Sequence, residues 1–212
     1  MPDASAATAS PAPRLTIGTV PVYVDGDRVT WTAGLAIDAD GCPSAYAPVG
    51  SGLRGRDLLG NAGKPGHWWG LVCDEHGEPY VQRATDPAPG FYISPTALQD
   101  HGRPLRDPRR YVDSARVPYL SIPPELRELG VRLGDVARVR YRGQACEAIV
   151  ADVGPHGKLG EGSIALANAL GIPSDPRHGG VGAGVEVCVW AGSGKGWPRA
   201  MDDVRAQVAG MG

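Results

Sequence analysis

No apolar stretch in the 212 residues approaches the ~18 that a membrane-spanning helix needs. There is also no long run of one charge sign, and the formal net charge is only −2. Gripping a phosphate backbone takes clustered Lys and Arg, so nucleic acid is not expected as a partner. The one basic patch, Arg106–Arg110, is broken by Asp107 and reads as a solvated loop. No Cys-x-x-Cys occurs, nor any His and Cys pairing at metal-ligand spacing, so neither a metal nor a cofactor is expected. Cys42, Cys73, Cys146 and Cys188 are widely spaced and fit two disulfides or four thiols equally. Internal repeats are absent. The N-terminus lacks the charged-then-apolar pattern of an export signal. Met1 to Pro13 is rich in Ala, Ser and Pro, and reads as a disordered leader or a remnant of processing.

What the chain has in quantity is Gly (31) and Pro (20). So much punctuation leaves little room for long helices and favours short strands joined by turns. With 42% hydrophobic residues, a core is affordable, and the length suits one β-rich domain over residues 14–196. Residues 197–212 are then a C-terminal tail with room for a short helix. Strands are expected at Val20–Val24, Val29–Leu35, Trp68–Val72, Pro79–Arg83 and Phe91–Ser94. Further strands are expected at Val117–Ile122, Val136–Tyr141, Cys146–Val153 and Gly184–Trp190. Arg142-Gly143 is a hairpin turn between two of these, Asp74–Gly77 is another turn, and Glu125–Leu129 is a helical turn. Residues 97–110 are polar and irregular, the composition of a functional or mobile loop. The best helix is Ser163 to Leu170, with Ser163 as N-cap and Gly171 as terminator.

Chemistry is concentrated around Asp152-Val153-Gly154-Pro155 and Gly160-Glu161-Gly162-Ser163. Asp152 ends an apolar strand, whose rigid backbone holds it at the sheet's rim. Alternation alone does not settle which face it takes. Glu161 precedes a helix N-cap, where negative charge is favoured. Fully extended, the segment between them would span about 30 Å. Gly154, Gly157, Gly160 and Gly162 let it fold back, which brings both carboxyl groups to one cleft. Glycosidic hydrolysis uses such a pair, one carboxyl protonating the leaving oxygen and the other activating water or attacking carbon. On this reading Glu161 is the acid and Asp152 the base. The plainer alternative is that Glu161 caps the helix and Asp152 satisfies loop amides.

These residues resemble glycoside hydrolase family 75, the chitosanases. The likeness runs from about Leu35 to Ser193. It takes in Ala36-Ile37-Asp38-Ala39-Asp40-Gly41, then Trp69 with Asp74 and Gly77. Gln82 and Asp86-Pro87-Ala88-Pro89-Gly90-Phe91-Tyr92-Ile93-Ser94 follow. Tyr111-Val112-Asp113, Val117-Pro118-Tyr119 and the two acid motifs complete the series. The resemblance implies endo-cleavage of β-1,4 bonds between glucosamine units with inversion, catalytic acids at Asp152 and Glu161, a monomer and a secreted protein. The missing export pattern leaves the cytoplasm as the alternative location. The C-terminal half also resembles double-psi β-barrel proteins such as rare lipoprotein A, expansins and family 45 endoglucanases. A mainly β fold is therefore expected: a six-stranded double-psi barrel-like core with an N-terminal β-rich elaboration and a short helix.

Chitosan carries ammonium groups, so its site should be acidic and partly aromatic. Asp38, Asp40, Trp69, Asp74 and Asp113 are the substrate-binding candidates, with Glu75 and Asp86 behind them. Each of these acids has a plainer reading as a turn residue. Asp38 ends an apolar strand, as Asp152 does, and is the rival for the base. Trp68 and Trp69 point to opposite faces if they lie on a strand, one inward and one free to stack on a sugar. Tyr92 and Tyr119 read as core, and His156 as a solvated loop residue. Two other functions stay open. One is a lytic transglycosylase-like enzyme acting on peptidoglycan with Asp152 alone. The other is an expansin-like protein that binds polysaccharide and cleaves nothing.

Overall fold

A computed structural model describes residues 12–211. The leader expected over residues 1–13 lies outside them, apart from its last two positions. The strands are β1 (Leu15–Ile17), β2 (Val20–Asp25), β3 (Arg28–Asp38), β4 (Gly63–Lys64), β5 (His67–Trp68) and β6 (Tyr119–Ile122). They continue with β7 (Val136–Tyr141), β8 (Gln144–Val153), β9 (Glu161–Ser163) and β10 (Val181–Trp190). Two short α-helices, α1 (Ile164–Ala169) and α2 (Met201–Ala209), follow β9 and β10.

Six strands close into a barrel in the order β3-β10-β7-β8-β6-β9, and β9 pairs back onto β3. Two of the pairings, β3 with β9 and β6 with β8, are parallel; the others are antiparallel. The fold is thus mainly β with a barrel-like core and few helices, as expected. β1 and β2 extend the sheet beyond β3. Strand alternation builds the interior. Along β3, Val29, Trp31, Ala33, Leu35 and Ile37 are buried in the core, while Arg28 and Thr32 face out. Leu120, Ile122, Ala148, Val150, Val187 and Val189 complete that layer from the other strands. Helix α2 seals a second layer, seating Val204 and Val208 against Val136, Ile149 and Trp190.

The β7–β8 hairpin turns at Arg142 and Gly143, both with positive φ (46° and 84°), the geometry of a two-residue turn matched to strand twist. Residues 66–94 depart from expectation. In place of the strands Trp68–Val72, Pro79–Arg83 and Phe91–Ser94 there is β5 with isolated bridges at Cys73–Pro79 and Val81–Tyr92. Prolines at 79, 87 and 89 remove donors, so no continuous ladder forms. All four cysteines are free thiols.

Candidate active site

Asp152 owes its orientation to an irregularity. In the parallel pairing of β6 with β8, Leu120 faces Val150 but Ser121 faces Asp152, leaving Ala151 as an extra residue. This bulge moves Asp152 to the face that Ala151 would otherwise have taken. The displaced Ala151 carbonyl accepts the Leu98 N–H at 2.9 Å. Asp152 Oδ1 accepts N–H bonds from Ala97 (3.0 Å) and Val153 (2.8 Å), so strand and loop 95–99 both fix the carboxyl. Asp152 therefore stands near the end of β8, as expected, and on the outer side of the barrel beneath the long excursion that follows β3.

Glu161 opens β9 and lies in register with Ser121 from the opposite side of β6. Residues in register project from the same face of a sheet, so Asp152, Ser121 and Glu161 form a row. Two strand spacings of roughly 4.8 Å put the outer Cα atoms about 10 Å apart. Between them the chain folds back as its glycines require. Gly160 has φ 94°, and a Cβ there would lie 2.4 Å from the Gly34 carbonyl oxygen.

Two more acids stand beside this row, past Ala36, which continues it on β3. Asp38 ends β3 and is buried, with its Oδ1 accepting the Asp40 N–H at 2.8 Å. Asp40 Oδ1 accepts hydroxyls from Tyr46 (2.9 Å) and Ser94 (3.0 Å), and its carbonyl accepts Tyr119 O–H at 2.9 Å. The Ser114 hydroxyl donates to the Asp38 carbonyl. Carboxylate oxygens of Asp38, Asp40 and Asp152 all lie within 4.8 Å of one another. Burial and mutual repulsion at that range oppose ionisation of all three. Burial, then the charge of Asp38, pushes Asp152 up to about 8 despite its two N–H donors. Burial, then Asp152, raises Asp40 to about 7 against its two hydroxyl donors. Asp38 is held well above the usual carboxylate range by burial, with Asp40 and Glu161 adding to it. Burial also raises Glu161, with Lys158 opposing and Asp57 adding. The cluster therefore retains protons near neutral pH. Three converging carboxylates are also a donor set that a hard cation accepts.

The remaining sequence candidates take local roles. Asp74 Oδ1 caps its own exposed turn, accepting from His76 and Glu78 N–H, and those bonds hold its carboxyl below the usual range. Asp113 accepts the Ala115 N–H and lines a cavity with Tyr111, Arg116 and Trp197. Asp86 accepts the Arg83 N–H. Trp68 packs on the core, whereas Trp69 is 61% exposed, its indole donating to the Asn61 carbonyl at 2.9 Å. His156 is exposed and faces Glu125 rather than the acids. Tyr119 is core, as expected, yet its hydroxyl also reaches the site. Tyr46 and Ser121 carry no motif that marks them, and Ser94 closes a motif without being singled out; Ser121 is found only through strand register.

Fold and site together define a mainly β barrel protein with four carboxyl groups gathered on one side. No model of a known protein family matches the chain, and a search of curated proteins found no match.

Proposed function

We propose that this protein is an endo-chitosanase of the kind found in glycoside hydrolase family 75, inverting at the cleaved carbon. The observation that carries the reading is the shared register of Asp152 and Glu161 with Ser121, one acid on each side of β6. Cα atoms about 10 Å apart suit carboxyl groups separated by roughly 6.5–9.5 Å, the gap that leaves room for water. Glu161, whose burial favours the protonated form, gives its proton to the glycosidic oxygen as the C–O bond breaks. Water adds to the anomeric carbon from the opposite face and gives its proton to Asp152.

A base must be ionised, whereas burial and the charge of Asp38 push Asp152 up to about 8. The substrate's own charge resolves this. A glucosamine ammonium seated between Asp38 and Asp40 favours the ionised forms of the three clustered aspartates, and Asp152 releases its proton to solvent. An N-acetylated unit has no such charge, so the same cluster favours deacetylated chains.

The test is incubation with defined glucosamine oligomers, with products sized and the newly formed anomer read early by NMR. Asp152→Asn and Glu161→Gln should each remain folded and lower turnover by about 10² to 10⁴-fold. Near wild-type activity in both variants sinks the proposal. The raised pKa of Asp152 also suits a lone acid acting on peptidoglycan without water. Glu161→Gln at full activity with anhydro-sugar products would select that reading.

A further inference from the structure

Ser121 is buried, at 6% exposure, and lies between the two acids on the central strand of the row. Among the described residues its hydroxyl has no hydrogen-bond partner, although Tyr46, Ser94, Ser114 and Tyr119 nearby all use theirs. The side-chain atoms that are fully enclosed without a partner lie elsewhere, on Trp31, Glu125, Trp190 and Arg199, so the Ser121 hydroxyl is reached by water, which can bridge it to a neighbouring carboxyl. Gly154 follows Asp152 by two residues and donates its N–H to the Ile122 carbonyl at 2.9 Å. A Cβ built on Gly154 would stand 2.9 Å from Glu161 Oε2 and 3.2 Å from Ser121 Oγ, closer than side chains normally pack. The serine hydroxyl and a Glu161 oxygen therefore converge beside Gly154, where a side chain would crowd both.

We propose that Ser121 is a positioning residue for Glu161, acting through one water seated over Gly154 that bridges the serine hydroxyl to Oε2. A bridge there fixes one carboxyl oxygen and turns the other towards the leaving oxygen. It is also more favourable to the ionised glutamate than to the neutral one, since the ionised form accepts the stronger hydrogen bond. This inference rests on the reading of Glu161 as the general acid, but it has a readout that does not.

The experiment follows the Glu161 side-chain carboxyl by ¹³C NMR titration in wild type, Ser121→Ala, Ser121→Thr and Gly154→Ala. Ser121→Ala should move the Glu161 titration to higher pH, and Ser121→Thr should restore it. Gly154→Ala places a methyl against both Glu161 Oε2 and Ser121 Oγ, two side-chain ends that can give, and should displace the bridge and reproduce the shift in a folded protein. On glucosamine oligomers Ser121→Ala should lower kcat about tenfold, near the 1.4 kcal/mol of one lost hydrogen bond, with KM unchanged. An unmoved Glu161 titration in both Ser121→Ala and Gly154→Ala overturns the inference, whatever the enzyme does. A moved titration with no cleavage of the oligomers by wild type retains the water bridge and overturns the chitosanase reading instead.

Discussion

Asp40 shows how much of this site's behaviour is set by groups it did not need for folding. Its folded pKa of about 7, and that of Asp152 at about 8, exceed the roughly 3.9 of an unfolded aspartate. Between those limits the folded state binds more protons than the unfolded one. Stability is then fully present below about pH 4 and falls as pH rises towards about 8, by linkage. Asp40→Asn keeps an oxygen to accept from Tyr46 and Ser94 but cannot ionise. It should flatten the fall in Tm between pH 5 and 8, as scanned by differential scanning calorimetry. A variant that loses stability as steeply as wild type would mean that the cluster is open to water and its pKa values ordinary.

At the level of elements, two serines hold the start of α1: Ser114 accepts from the Ile164 and Ala165 N–H groups, and Ser163 caps the helix and ties it to the barrel. Ser163 Oγ accepts from Leu166 N–H and also from Tyr119 N–H, each at 3.0 Å, joining the helix start to β6. Ser163→Ala leaves two buried donors without a partner and should cost about 2 kcal/mol, the upper end for a cap. Urea unfolding with an unchanged m-value checks it. This cap was legible in the sequence, as was the hairpin at Arg142-Gly143, because both depend on local chemistry between residues a few positions apart. The face of Asp152 was not legible. It is set by one extra residue, Ala151, whose effect exists only against the partner strand β6. The same limit hid the convergence of Asp38 and Asp40 on Asp152, more than a hundred positions away, and the place of Ser121 between the acids. Residues 66–94 misled for another reason. Their β-branched and aromatic runs have strand propensity, but the prolines within them deny the ladder its donors.

Across the whole molecule, β3 has both barrel neighbours far along the chain, residues 161–163 on one edge and 181–190 on the other. A fragment ending at residue 118 keeps β1, β2 and β3 but has none of the barrel strands that cover the Trp31, Leu35 and Ile37 side. It should show no cooperative thermal transition, whereas a folded fragment would mean that the N-terminal half is a unit of its own. The same wiring governs how the chain is made. On a ribosome, the first barrel strand emerges well over a hundred residues ahead of its second neighbour, with an apolar face and an unpaired edge. Such distant pairings delay closure and leave the nascent chain open to aggregation until the last strand arrives. Yield in cells should therefore depend more on the pace of synthesis and on holding chaperones than on the final stability of the barrel.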